Sequence, residues 1–543
     1  MTQSLQRLEL VVADLNVDGG AVARHEGRVV FLDRGLPGEK VLAEVTGEKK
    51  RVLLARVVES LSPSPDAVES FCSHFGTCGG CSMQNYAYPA QLELKRKQAA
   101  QVFSRIGGID LAAVPGLCPE GESLPGIIPS PEQRGFRNKM EYAFGEAGGA
   151  VSVGLRRRAS HEVLDIEGCP LQGPAAGAVL GAVRSWANQH GLSVWKEEPA
   201  RRGASGKDSS NAADRAVGRG NTEQDDNVTG QGADVAGMSA HAGDSGTGDA
   251  VRRDGCLRYL VLRQPEYIRE GQAQLVVELI CGTHLPEKNL VEELWEALSA
   301  CGVSSFVLSQ RRARLGVARG ERTFRVFGNR SIWEDFGGLL LEFPVSGFSQ
   351  TNTGAATLLY KEAARFAAGD GVGPAGAAGD AGSGKLYSEL WDLYSGVGAL
   401  ALGMSNLAGK TLGVELDEKA VKLANVNAAR LGKGSCRFVD GDAAAFMESL
   451  HWRESRPRLL PQGFSGPDLL VADPPRSGMS PRILKSIKQC RPRSIVYVSC
   501  DPATQARDIA GLSDCYKLES LTLVDMFPHT PHVECVCRLT LRG

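Results

Sequence analysis

Five apolar runs in the C-terminal third of the chain each break off at a polar or reactive residue: WDLYSG, TLGVELD, FVDGD, DLLVADPP and SIVYVSC. Helix-like stretches such as LANVNAARLG separate them, so strand and helix alternate from residue 385 to 543. Runs this apolar suit strands buried on both faces, and the alternation predicts a doubly wound, mostly parallel α/β sheet of Rossmann type. Ligands bind such sheets at the carboxyl ends of the strands. Tyr394, Glu415, Asp442, Asp473 and Cys500 all fall there.

The first run ends in Gly396-Val397-Gly398, a turn that lets backbone approach a nucleoside ligand closely. Alone, a GxG also fits a tight strand-to-helix turn with no ligand. Glu415, about twenty residues on, is placed to accept hydrogen bonds from ribose hydroxyls, and Asp442 to meet an adenine edge. Ala399 and Leu400 follow where a third glycine would start a pyrophosphate cradle, so a compact adenosyl ligand suits the site better than a dinucleotide. Asp473-Pro474-Pro475-Arg476 closes the fourth run. The same turn occurs in enzymes that methylate exocyclic amino groups, so it does not fix the target atom.

Cys500 ends the fifth run, and Asp501-Pro502 halts the strand behind it, turning the thiol toward the cleft. The bland alternative is a buried structural thiol, the reading that fits Cys436, Cys490, Cys515, Cys535 and Cys537. A reachable cysteine matches one particular chemistry. C5 of uracil is too weak a nucleophile to take a methyl group directly, whereas thiolate addition at C6 gives C5 carbanion character. The C5 proton must then leave to a base, for which Glu534 in PHTPHVECVCRL competes with His529 and His532.

The rest of the chain reads as two further units. Residues 1–62 alternate apolar and polar positions, with turns at Gly19-Gly20 and Pro37-Gly38, and predict a small β-barrel of a kind that often binds nucleic acid. Residues 63–345 form a mixed α+β central region that opens on Cys72-x5-Cys78-x2-Cys81, with Cys169 as a distant fourth thiol. Four thiolates suit zinc or an iron-sulfur cluster, and His74 offers a Cys3His zinc set. The x5/x2 spacing is not the x3/x2 pattern of radical adenosylmethionine enzymes. A helix, PAQLELKRKQAAQVFSRIG, follows and stops at paired glycines. Between 199 and 254 the composition collapses to small and polar residues, which predicts a disordered insertion, and 369–384 reads as a loop extension.

With 543 residues and 42% hydrophobic composition the chain can bury more than one core. Its net charge of -2 gives no global attraction to nucleic acid, so RNA binding must rest on local basic patches. Candidates are Arg134, Arg137, Lys139 and Arg156 to Arg158, and a second set from Arg311 through Arg314 to Arg325; the bland reading of both is a solvated surface. There is no membrane-length apolar run and no secretory leader, which leads us to expect a cytoplasmic protein, monomeric and without an obligate protein partner.

Together these motifs resemble the RNA uracil-5-methyltransferase family, in the branch with an N-terminal TRAM barrel and a 4Fe-4S cluster that includes bacterial 23S rRNA methyltransferases. The resemblance spans nearly everything outside the two low-complexity segments. It implies S-adenosyl-L-methionine held by Gln350, Tyr394, Glu415, Asp442 and Asp473, Cys500 as nucleophile and Glu534 as base. It also implies a 4Fe-4S cluster on Cys72, Cys78, Cys81 and Cys169, and RNA contacts from Arg137, Asn138 and Lys139 in GFRNKMEYAF. Ser395 and Ala399 depart from the family pattern. The expected substrate is RNA, with ribosomal favoured over transfer RNA. The competing readings are amino-group methylation through Asp473 and its neighbours, and an RNA-binding protein with a vestigial cofactor site.

Overall fold

The computed structural model describes residues 6–16, 19–49, 52–196, 255–269, 271, 273–313, 317–369, 385–450 and 459–543. The predicted insertion at 199–254, nearly all of the 369–384 extension and Arg314 lie outside them.

The N-terminal alternation closes into a five-stranded barrel of β1 (Arg7–Leu15), β2 (Ala21–His25), β3 (Arg28–Leu32), β4 (Lys40–Lys49) and β5 (Val52–Ser62). Period-2 patterning puts Leu8, Leu10, Val12 and Leu15 of β1 inside, and pairing of β1 with β4 leaves no free edge. Helix α1 (Tyr88–Gly107) follows, stopped by Gly108 in the left-handed region at φ 64°. Its Leu94 packs into the barrel core, while Ala99 and Phe103 pack into the C-terminal core.

A short strand, β6 (Gly126–Ile128), comes next, then the central sheet of β7 (Lys139–Ala147), β8 (Ala150–Arg156), β9 (Val163–Asp165), β10 (Leu257–Arg263), β11 (Val276–Cys281), β12 (Ser305–Gln310) and β13 (Arg322–Gly328). Its order is β13-β12-β11-β10-β7-β8-β9, with α2 (Ala175–Gln189) and α3 (Lys288–Ala300) packed on its core. A hairpin of β14 (Ser331–Asp335) and β15 (Leu340–Pro344) leads to α4 (Thr353–Ala368).

The C-terminal sheet contains β16 (Tyr387–Leu393), β17 (Ala408–Glu415), β18 (Cys436–Asp440), β19 (Leu469–Ala472), β20 (Ser494–Ser499), β21 (Tyr516–Val524) and β22 (Glu534–Leu541). Helices α5 (Ala399–Met404), α6 (Glu418–Arg430), α7 (Ala443–Ser449), α8 (Pro481–Cys490) and α9 (Pro502–Leu512) connect them. The order is β18-β17-β16-β19-β20-β22-β21-β6, parallel from β18 to β20 and antiparallel at β22. Residues of β19 and β20 are buried throughout, as apolar runs covered on both faces require. One apolar core collects α4, α5 and α6; the other collects α1, α7, α8 and α9.

One expectation changes here. The region 63–345 is not a separate central unit throughout: β6 is the edge strand of the C-terminal sheet beside β21, and α1 lies against α9. Both are remote in sequence from the elements they pack against, so no local pattern could assign them. Among the described residues no helix is long and apolar enough to cross a membrane.

Candidate active site

Chain order reverses between β16 and β19, and that switch point opens a cleft at the carboxyl edge. A cavity there is lined by Gln350, Tyr360, Asp392, Tyr394, Ser395 and Asp473, among others. Tyr394 adopts φ 68°, a conformation costly for a bulky residue, and its amide and that of Ser395 both donate to the Val414 carbonyl. The Glu415 carboxylate accepts from the amides of Gly396 (3.0 Å) and Asp417 (2.9 Å), which fixes it at the end of β17 beside the glycine turn. Two buried oxygens, Asp392 Oδ1 and Ser395 Oγ, have no protein partner. Both residues line the cavity, and buried polar atoms without partners are what a polar ligand would complete.

Of the five sequence-derived cofactor residues, Gln350, Tyr394 and Asp473 line this cavity and Glu415 stands at its rim strand. Asp442 stands at the same carboxyl edge, just past β18 beside Glu415 and outside the cavity lining; its Oδ1 also caps α7, accepting from the Ala445 amide at 2.9 Å, as a carboxylate just before a helix satisfies its free N–H groups. Asp392 and Tyr360 were missed. A carboxylate inside the apolar run WDL was a legible signal for Asp392; Tyr360 arrives from α4, with none.

At the next two strand ends stand the reactive groups. Asp473 follows β19, and Cys500 follows β20, where Asp501 caps α9 and Pro502 occupies its first turn. Strand β22 is antiparallel, so its first residue, Glu534, returns to this same edge. Glu534 is only 3% exposed, and burial beside Asp473 pushes its carboxyl up to about 8. Burial pushes Asp473 up to about 7. Burial and the neighbouring Glu534 push the Cys500 thiol up to about 11, opposed by the Arg476 guanidinium, which hydrogen-bonds it. Arg476 was read only as part of the Asp-Pro-Pro turn; the fold makes it the cation of the cluster. Asp508 of α9 anchors that loop through the Met479 amide.

The histidine alternatives are placed otherwise. His529 is buried with both ring nitrogens engaged, by Gln91 and the Gln133 carbonyl, and His532 lies exposed, edge-on to Phe527. Cys535 and Cys537 are buried in the core; Cys436, Cys490 and Cys515 are half-buried.

The four cysteines of the motif converge. Cys72, Cys78, Cys81 and Cys169 line one cavity of about 380 Å³ with His74, Arg137 and Phe527. Their thiols sense one another electrostatically, and the Gly80 amide and Gln84 side chain donate to Cys78 and Cys81 at 3.4 and 3.3 Å. Among the described residues no group of three or more His, Cys, Asp or Glu is arranged to hold a metal ion.

The expected RNA contacts need correction. Asn138 is buried, its amide donating to the Gln350 carbonyl and to Thr353 Oγ1, each at 2.9 Å, so it joins the central sheet to the cofactor wall. Arg137 turns inward over Phe527, toward Cys81 and Cys169. In the second basic set, Arg311 is nearly buried, Arg319 pairs with Asp417 at 2.7 Å and Arg325 with Glu292 at 2.9 Å.

The family model described as tRNA (Uracil-5-)-methyltransferase matches residues 381–542, and the TRAM domain matches residues 3–58. An uncharacterized RNA methyltransferase of Nitratidesulfovibrio vulgaris is 34% identical over 98% of this chain and 96% of its own length. Another from Halalkalibacterium halodurans is 29% identical over 99% and 97%. The fold is similar to the crystal structure of Pyrococcus abyssi tRNA (uracil-54, C5)-methyltransferase in complex with S-adenosyl-L-homocysteine, at a TM-score of 0.63 and 22% identity, over 98% of this chain and 100% of that one.

Proposed function

The chain belongs to the TRAM-bearing RNA uracil-5-methyltransferase family, S-adenosylmethionine-dependent enzymes acting on RNA, and on that premise we propose that Cys500 is the nucleophile and Glu534 the base. The observation that carries this is the placement of a half-buried thiol and a buried carboxyl at one sheet edge beside the cofactor cleft.

Gln350, Tyr394, Glu415 and Asp473 hold the cofactor in the cleft, with Asp392 and Ser395 offering unsatisfied oxygens to its polar groups. When bound, the cofactor supplies a methyl group on a cationic sulfur. The target base is extruded from its fold so that the thiol can reach it. Cys500 enters as thiolate, its charge opposed by Arg476, and its Sγ bonds to C6 while the C5–C6 π pair moves to C5. Once C5 carries the methyl group, the Glu534 carboxylate takes the C5 proton. The double bond re-forms, the Sγ–C6 bond breaks and the thiolate leaves.

The substrate we assign is 23S rRNA, supported by resemblance to the cluster-bearing branch of the family. Mapping 5-methyluridine by mass spectrometry in RNA from cells with and without the protein tests it. A missing mark in 23S rRNA is expected; one missing from tRNA alone would overturn the assignment.

We assign a 4Fe-4S cluster to Cys72, Cys78, Cys81 and Cys169, as the family resemblance implies. The four thiols converge on one cavity, and the Gly80 amide and Gln84 side chain donate to the Cys78 and Cys81 sulfurs, which supports this reading alongside the family resemblance. Anaerobic reconstitution should give about four irons and four sulfides per chain, falling in each Cys→Ser variant; stoichiometric zinc instead would overturn it.

A further inference from the structure

Residues 525–533 join β21 to β22 and deliver Glu534 to the active edge. The loop is pinned from outside the sheet. The Asp525 carboxylate accepts from Lys95 Nζ (2.5 Å) and Tyr88 OH (2.8 Å), and Asn352 Nδ2 donates to the Met526 carbonyl. The densest attachment is His529. Its amide donates to Gln91 Oε1 at 2.9 Å, and its carbonyl accepts from the Ser82 and Met83 amides at 3.0 and 3.1 Å. Both ring nitrogens are engaged, and Phe71 meets the ring edge-on at 5.2 Å.

His529 is 3% exposed and sits at φ 65°, left-handed backbone that a ring-bearing residue keeps only where its surroundings over-determine it. Four of its partners, Phe71, Ser82, Met83 and Gln91, come from the segment that carries Cys72, Cys78 and Cys81. Four residues separate this fixed point from Glu534, and Val524 at the loop's other end pairs with Glu534 in register.

We infer that His529 is a positioning residue for the base: gripped by the cysteine-bearing segment, it sets the loop conformation that holds Glu534 against the thiol. This rests on the reading of Glu534 as base. It requires that disturbing His529 impair the step Glu534 performs and spare the earlier ones. Methyl transfer needs only the thiolate and the cofactor; proton removal and elimination need the carboxylate in place.

The experiment incubates the full-length protein with S-adenosylmethionine carrying a labelled methyl group and uridine-containing substrate RNA, then runs denaturing gels. Glu534→Gln is the control and should trap a methylated covalent RNA–protein adduct. His529→Ala should trap the same adduct with cofactor affinity within about twofold of the parent. His529→Asn, which tolerates positive φ, should trap less. Gln91→Leu, which removes two hydrogen bonds to His529 and alters no loop residue, should behave as His529→Ala. Absence of adduct from Glu534→Gln would topple the base assignment itself. Adduct from Glu534→Gln but none from His529→Ala or Gln91→Leu overturns the inference, whether those variants turn over normally or have lost cofactor binding.

Discussion

Glu534 stands across the sheet from Cys500: the β20–β22 ladder pairs Ser499 with Cys535, and the next antiparallel step sets the carboxyl opposite the thiol. Burial raises both, and a neighbouring carboxyl raises each further by electrostatic repulsion: Glu534 acts on the Cys500 thiol, and Asp473 on Glu534.

Removing the nucleophile separates chemistry from binding. Cys500→Ala should abolish methyl transfer, by more than about 10³-fold, because direct attack by uracil C5 is too weak to substitute. Cofactor affinity should stay unchanged, since the thiol does not line the cofactor cavity. A covalent complex with 5-fluorouridine RNA should form with the parent protein and not with the variant; calorimetry and denaturing gels read both outcomes.

Stability and activity should respond to pH in opposite senses. Asp473, Glu334 and Glu534 are raised to about 7, about 7 and about 8, chiefly by burial, against values near 4 in the unfolded chain. Between those values the folded protein binds more protons than the unfolded one, so stability falls as pH rises from about 4 to 8. The free protein's melting temperature should drop over that window. Turnover should instead climb through about pH 8, as Glu534 loses its proton and the Cys500 thiolate becomes more populated.

Arg263, at the end of β10, reaches from the central sheet to the carbonyls of Pro344, Val345 and Gly347 and to Ser349 Oγ, and so shapes the strip that leads into Gln350. Arg263→Lys keeps a charge and loses the fork, so it cannot hold all four acceptors. The KM for the cofactor should rise about tenfold, about 1.4 kcal/mol, with kcat within about twofold. A steady-state split between KM and kcat checks this.

Lys95 and Asp525 form an ion pair with no solvent exposure at 2.5 Å. Lys95→Met would leave a buried carboxylate uncompensated and should cost about 3–5 kcal/mol, whereas Lys95→Met with Asp525→Leu should recover most of that. Chemical denaturation of the two variants checks the difference.

The strand ends were legible because an apolar run buried on both faces must stop where the chain meets solvent, and a charged or reactive residue marks that point. Cys500, Asp473 and Tyr394 could be found that way. Asp442 fits the same rule and also caps a helix, because strand ends and helix starts adjoin in this fold and favour the same residue type. GFRNKMEYAF read as an RNA surface, although Arg137 and Asn138 face inward; a polar segment gives no sign of which neighbour will satisfy it.

By itself the sequence determined what is local: period-2 patterning that closes a barrel, buried runs that make a parallel sheet, and the residue types able to add a thiolate to a pyrimidine. Only the tertiary structure decided what is non-local. The antiparallel return of β22 set Glu534 opposite Cys500, the loop after β19 brought Arg476 to the thiol, and Cys169 met its three distant partners. Short-range propensity depends on a few neighbouring residues, whereas a site built from segments hundreds of residues apart exists only once packing has fixed their register.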